Sequence, residues 1–201
     1  MLTTFHWCAV TIVAAAEMSE LAILSMQGDR AFRPDPGTLC IVTELGDTLI
    51  FSDQPDPNSA DYVEYELSSF LPEQNCWVVS EIFLEDQVIH LVNCTNGRTA
   101  LAVSLPEPSS DGHRLLCTEE DILLGTLRNS LQIWRVDPDS LVLEFQYSQE
   151  PWGPVCARWA GDSLILFDVH TSYEDRDECT SSPGSLRLAA DGIWRQAGRA
   201  D

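Results

Sequence analysis

Lysine is absent from this chain of 201 residues, and all 11 of its basic residues are arginines. Aspartate and glutamate number 32, which gives a formal net charge of -21 at pH 7. A surface this negative repels nucleic-acid phosphate and anionic lipid, so binding to DNA, RNA or a membrane is not expected. The same field speeds encounter with a basic protein. Acidity that serves only solubility, or life in a salty cytoplasm, is the alternative interpretation.

Long apolar segments are also missing. Residues 5–16 (FHWCAVTIVAAA) are strongly apolar, but they fall short of the about 20 residues that a membrane-spanning helix requires. No lysine or arginine precedes Arg30, so the charged start of a secretory signal peptide is absent. The β-branched residues at positions 10–13 predict a buried strand, with a weak export signal as the alternative. We therefore expect a cytoplasmic protein.

The seven cysteines form no C-x-x-C pair, and their number is odd. The sequence therefore indicates neither a disulfide framework nor a zinc site. We predict reduced and mostly buried thiols, as in a cytosolic protein.

Linear signatures of catalysis are also absent: the chain has no G-x-S-x-G elbow, phosphate-binding glycine loop or dinucleotide fingerprint. The four histidines are scattered, and His90 lies in an apolar stretch that predicts a core residue. We predict no enzymatic activity, metal ion or cofactor. Asp168 and His170 share one face of a predicted strand, which leaves a carboxylate-based hydrolase as an alternative function.

Short apolar stretches separated by turn residues recur along the whole chain. Residues 62–67 (YVEYEL) and 141–145 (LVLEF) alternate with the period of two that is typical of half-buried strands. Asn96-Gly97 between two apolar runs predicts a hairpin. Residues 21–26 are predicted as a strand, although residues 14–24 are the best candidate for a helix. The sequence predicts a single all-β domain over residues 1–201.

Five cysteines suggest an internal repeat, because each stands in a short apolar stretch that is followed by a turn and a stronger strand. They are Cys8, Cys40, Cys76, Cys117 and Cys156, at spacings of 32, 36, 41 and 39 residues. Such units resemble degenerate β-propeller repeats, in which small sheets stack because one sheet cannot bury both of its faces. The resemblance implies a small propeller of about five short blades, although the chain lacks the WD and GH signatures. A β-sandwich or an irregular β-barrel is the alternative.

The functional prediction depends on acidic clusters and one aromatic residue. Exposed aromatic side chains beside carboxylates suit the binding of a cationic protein. We therefore expect an acidic protein-binding module that neutralises a basic partner, most concretely a bacterial immunity protein against a cognate toxin. A scaffold subunit of a larger complex is a further alternative. The predicted partner-binding residues are Glu119, Glu120, Asp121, Trp152, Glu174, Asp175, Asp177 and Glu178.

Overall fold

The computed structural model describes residues 18–54, 56, 61–84, 86–119, 129–148, 152–171 and 180–196. Within them, helix α1 covers Glu20–Gln27 and a short 3-10 helix covers Gly28–Arg30. The rest of the regular structure is β: β1 (Ala31–Asp35), β2 (Thr38–Val42), β3 (Thr48–Ser52), β4 (Glu64–Leu71), β5 (Cys76–Ile82), β6 (Gln87–Asn93), β7 (Thr99–Ala102), β8 (Glu107–Pro108), β9 (Arg114–Glu119), β10 (Ser130–Asp137), β11 (Ser140–Ser148), β12 (Trp152–Trp159), β13 (Leu164–Thr171), β14 (Thr180–Leu188) and β15 (Trp194–Gln196). The all-β prediction is confirmed.

These strands form four small antiparallel sheets, and each sheet uses strands that are consecutive in the chain. Sheet one is β1-β2-β3, sheet two is β4-β5-β6-β7, sheet three is β8-β9-β10-β11 and sheet four is β12-β13-β14-β15. Each sheet is a meander, because each strand pairs with the next along the chain. The predicted Asn96-Gly97 hairpin is confirmed: it joins β6 to β7, and Gly97 adopts φ 71° with its N–H donated to Asn93 O at 2.9 Å.

Three hydrophobic clusters hold the four sheets together in sequence order. The first joins sheets one and two around Ile41, Trp77 and Val79. The second joins sheets two and three around Val78 and Leu115, and the third joins sheets three and four around Ile133 and Phe167. Sheets two and three each contribute both faces to these clusters, as expected when one sheet cannot form a core by itself. Among the described residues, no cluster joins sheet four back to sheet one.

The turns at one end of this stack are hydrogen-bonded to one another, and we name this the turn end. It carries the β2–β3, β4–β5, β6–β7, β8–β9, β10–β11 and β12–β13 turns. Their contacts include Glu44 N to Cys94 O (2.8 Å), Gln74 Nε2 to Gly112 O (3.3 Å), Asn96 Nδ2 to Asp139 O (2.7 Å) and Ser110 Oγ to Asp162 Oδ1 (2.5 Å). We name the opposite end the loop end; there β1, β3, β5, β7, β9, β11 and β13 end, and the strand that follows each of them begins.

One predicted strand is wrong. Residues 21–26 belong to helix α1, which begins at Glu20 and ends at Gln27, just before Gly28 with φ 56°. Leucine, alanine, methionine and glutamine all favour a helix. The side chain of Glu20 also fixes the first turn, since it accepts hydrogen bonds from Leu67 N at 2.9 Å and from Arg33.

The propeller resemblance stays a prediction. Each described sheet carries one of the cysteines that suggested the repeat: Cys40, Cys76, Cys117 and Cys156. The first three are buried on the second strand of their sheets, whereas Cys156 is exposed on the first strand of sheet four. The spacing therefore places one cysteine in each sheet but not at one equivalent position. Cys8 and the predicted strand over residues 10–13 lie outside the described residues.

Candidate functional site

Two of the predicted partner-binding positions, Glu119 and Trp152, lie at the same end of the stack. Glu119 is the last residue of β9 and Trp152 is the first residue of β12, and both positions lie at the loop end. Residues 120–128 join β9 to β10, and residues 172–179 join β13 to β14. The structure therefore places two predicted positions that are well separated in the sequence at the loop end.

Of these predicted residues, Glu119 is the one whose side chain the structure describes. It is half-buried and has an interaction partner within the protein. Trp152 has a described backbone that pairs with Thr171. The remaining predicted residues lie outside the described part of the chain: Glu120, Asp121, Glu174, Asp175, Asp177 and Glu178.

Further carboxylates, which the sequence analysis did not select, lie at or near the same end. They come from α1, β1, the β3–β4 connection, the start of β4, the end of β5, the β5–β6 turn and β13. Four of them are exposed: Asp35, Glu64, Asp86 and Asp168. Three are half-buried: Glu20, Asp53 and Glu81.

Arginines are distributed unevenly between the two ends. Seven described arginines lie toward the turn end: Arg30, Arg98, Arg114, Arg135, Arg158, Arg187 and Arg195. At the loop end, the described residues include a single arginine, Arg33. Described carboxylates, by contrast, lie at both ends; those in the turns of the turn end include Glu44, Asp47, Glu73, Asp111, Asp139 and Asp162. The loop end therefore has the larger excess of negative charge.

Arg33 does not offset this excess, because it is held by the protein itself. Its Nε and Nη2 atoms donate to the two carboxylate oxygens of Glu20 at 2.9 and 2.8 Å, a bidentate ion pair. Nη2 also donates to Tyr65 O, and Nη1 lies 3.9 Å from Asp53 Oδ2. The hydrogen bond and the charge of Glu20 raise the pKa of Arg33 against the opposing effect of its partial burial. Its positive charge is thus fixed between two carboxylates.

A second internal cluster at this end joins Tyr65, Glu81 and His90 from three neighbouring strands. Glu81 accepts a hydrogen bond from Tyr65 Oη at 2.8 Å and lies 2.7 Å from His90 Nε2. The Phe51 ring from sheet one packs against the rings of Tyr65 and His90, with distances between ring centres of 5.3 Å and 5.9 Å. Burial and the bond to Glu81 raise the pKa of Tyr65 to about 12.

This cluster revises the prediction that His90 is simply a core residue. His90 lies at the margin of the first hydrophobic cluster, half-buried, and its imidazole is paired with a carboxylate. A carboxylate that holds an imidazole can orient it for proton transfer. Pairing of Tyr65 with Glu81 follows from the register of β4 on β5, which the sequence alone does not specify.

The alternative site at Asp168 and His170 stays a hypothesis. Asp168 is exposed on β13, and the side chain of His170 lies outside the described residues. Within the described ranges, no group of three or more histidine, cysteine, aspartate or glutamate side chains is arranged to hold a metal ion. No helix in the same ranges is long and apolar enough to cross a membrane.

Apolar side chains interrupt the acidic surface of the loop end. Leu84, in the β5–β6 turn, is 57% exposed and lies two positions before Asp86 in the sequence. Leu105 follows β7 and is 49% exposed; its neighbour Ser104 accepts a hydrogen bond from Thr118 N at 2.9 Å. This contact places Leu105 near Glu119. Exposed leucines among carboxylates combine contact area with charge, as protein-binding surfaces do.

Comparison of the chain with protein-family models, with curated proteins and with solved structures finds no match.

Proposed function

We propose that this protein binds and neutralises a basic protein partner through its acidic loop end. The most concrete version is a bacterial immunity protein that blocks a cognate toxin domain. Toxins that attack nucleic acid or nucleotides carry cationic surfaces, and a complementary negative surface accelerates their capture. The single observation that supports the proposal most is the contrast in arginine: seven described arginines toward the turn end, against Arg33 at the loop end.

The apolar residues of the loop end support the same function. Charges act mainly on association rate and specificity, whereas buried apolar and aromatic anchors supply most of the binding energy. Leu84 and Leu105 are available as anchors among the carboxylates. Trp152, at the first position of β12, is a further candidate at the same end.

The test compares two variants that lose the same amount of charge. The loop-end variant carries Asp35→Asn, Asp86→Asn and Asp168→Asn; the turn-end control carries Asp47→Asn, Glu73→Gln and Asp139→Asn. All six side chains are exposed. Wild type and both variants are immobilised and exposed to lysate of the source organism at low and at high salt, and captured proteins are identified by mass spectrometry.

We expect wild type and the turn-end control to retain the same basic protein at low salt. The loop-end variant should bind that protein with an association rate lowered by about tenfold at low ionic strength. If a neighbouring gene encodes a basic toxin domain, that domain is the protein to purify for the rate measurement. Retention of no basic protein by wild type at low salt, or equal losses in the two variants, would contradict the proposal.

A further inference from the structure

An open groove lies between helix α1 and strand β1, next to the loop end. Its volume is about 620 Å³, within the range of about 300–1,000 Å³ that is typical of ligand clefts. Apolar side chains line most of it: Leu21, Leu24, Phe32 and Pro36. Glu20, Arg33 and Glu64 supply the charged part of its wall.

Two of the apolar side chains that line this groove are exposed to solvent. Leu21 is 78% exposed on α1, and Phe32 is 39% exposed on β1. Helix α1 buries Ile23 against the core, so its other apolar side chains lie partly or fully in solvent. A contiguous apolar surface rimmed by polar groups is the pattern of a protein-interaction site.

The charge of the groove specifies the kind of segment that it suits. Glu20 and Arg33 neutralise each other in their bidentate pair. Asp53 lies 3.9 Å from Arg33, and Glu64 is exposed at the rim with one oxygen accepting a hydrogen bond from Tyr62 Oη at 2.8 Å. Three carboxylates against one guanidinium leave a net negative site beside the apolar wall.

We infer that this groove takes an apolar side chain of the basic partner, flanked by a lysine or arginine that pairs with Glu64. The inference rests on the proposed function and names the segment of the partner that is bound. The chain's own residues 1–17 are the competing occupant, but they contain no lysine or arginine and so lack the complementary charge. An extended or helical partner segment that places a cation next to a leucine-like side chain supplies both.

The inference is tested with two fluorescein-labelled probe peptides and the full chain. One peptide alternates leucine and lysine; the other has serine in place of each leucine and the same charge. Fluorescence anisotropy at low and high salt gives their affinities for wild type, Leu21→Ser/Phe32→Ser, Glu64→Gln and two matched controls. The controls are Leu101→Ser, whose leucine is 57% exposed on β7, and Glu73→Gln at the turn end.

We expect the leucine peptide to bind wild type at least about tenfold more tightly than the serine peptide, because one buried apolar side chain accounts for that factor. Leu21→Ser/Phe32→Ser should remove this advantage, and Glu64→Gln should weaken the leucine peptide while Leu101→Ser and Glu73→Gln leave it unchanged. Chemical denaturation confirms that every variant is folded.

The outcomes separate this inference from the proposed function. Equal, salt-sensitive binding of both peptides, unaffected by the groove variants, overturns the groove site and leaves the acidic surface as the binding region. Loss of the leucine advantage in Leu21→Ser/Phe32→Ser without any effect of Glu64→Gln overturns the cationic part of the inference. The absence of a leucine advantage in wild type overturns the groove site and is the result expected if residues 1–17 occupy the groove. Failure of both peptides to bind at low salt counts against the proposed function itself.

Discussion

Trp194 Nε1 donates a hydrogen bond to Glu144 Oε2 at 3.0 Å, and this contact ties the last described strand to the edge of sheet three. The same carboxylate accepts a hydrogen bond from Arg114 Nε at 2.8 Å and lies 3.1 Å from Arg135 Nε. The Arg114 guanidinium stands 6.0 Å from the centre of the Trp194 ring. One carboxylate with a side chain 13% exposed thus joins β9, β10, β11 and β15.

Replacing Glu144 with Gln should therefore destabilise the fold. A neutral amide keeps the size of the side chain but turns an NH₂ group toward donors, so at least one arginine loses its acceptor. We expect a loss of about 1–3 kcal/mol in the free energy of unfolding. Urea denaturation measures it, with Asp139→Asn as the control for the loss of one surface charge. A change below about 0.5 kcal/mol in Glu144→Gln, the usual effect of a surface substitution, would show that the carboxylate is not needed.

Gly97 provides a second test, because its hairpin packs against sheet one. A Cβ atom at Gly97 would lie 2.6 Å from Leu49 Cδ1 and 3.0 Å from Thr43 Cγ2, in addition to the strain of φ 71°. Gly46 has φ 90° and no atom within 4 Å of the same position. Gly46→Ala therefore carries only the conformational cost of about 1–2 kcal/mol.

Gly97→Ala should lower the free energy of unfolding by the same conformational cost and by about 1 kcal/mol or more in addition, because the new methyl group crowds the first hydrophobic cluster. Thermal and urea unfolding of the two variants gives the difference directly. Equal destabilisation by Gly46→Ala and Gly97→Ala would mean that Leu49 moves aside without cost.

The hairpin at Gly97 also shows which parts of the fold follow from local sequence. Asn-Gly between two apolar runs specifies a turn with positive φ. Strand periodicity over residues 62–67 predicted a strand that overlaps the first half of β4, which covers Glu64–Leu71. Such patterns are properties of adjacent residues. Helix α1 was not separable from a strand, because its apolar run fits both, and the tertiary bonds of Glu20 to Arg33 and Leu67 decide between them.

The candidate site depended on information that adjacent residues do not contain. The acidic cluster at residues 119–121 was selected by charge density alone, whereas the meander topology is what places Glu119, at the end of β9, at the same end of the stack as Trp152, at the start of β12. The pairing of Glu81 with Tyr65 and His90 requires the register of three strands. Arg33 was not predicted as a site residue, because its ion pair with Glu20 joins a helix to a strand and is visible only in the folded structure.

Buried thiols predict how stability changes at alkaline pH. Burial raises the pKa of Cys76, Cys94 and Cys117 to about 12, from an ordinary value of 9.0. The unfolded chain therefore releases these protons first as pH rises. Their contribution is fully present below pH 9 and is lost progressively between pH 9 and about 12. Burial and Glu81 raise the pKa of Tyr65 in the same direction.

Cys117→Ala should flatten this dependence. Above pH 9, each such thiol steepens the loss of unfolding free energy by about 1.4 kcal/mol per pH unit. Urea unfolding between pH 7.5 and 10.5 under reducing conditions compares the slopes of wild type, Cys117→Ala and Cys156→Ala. The Cys156 side chain is exposed in the folded protein, so its variant should keep the wild-type slope. Identical slopes in all three proteins would contradict the role assigned to burial.

Cys156 should also be a rapidly modified thiol in the folded protein. It is the exposed cysteine among the five that the structure describes, whereas Cys40, Cys76, Cys94 and Cys117 are buried. A thiol reacts as thiolate, so burial and a pKa of about 12 protect Cys76 and Cys117 from modification.

Titration of the native protein with 5,5′-dithiobis(2-nitrobenzoate) at pH 8 counts the thiols that react within seconds. Cys156→Ser should lower that count by one and Cys117→Ser should leave it unchanged, whereas in denaturant each variant should lose one thiol from the wild-type total of seven. An unchanged fast count in Cys156→Ser would show that Cys156 is covered in solution.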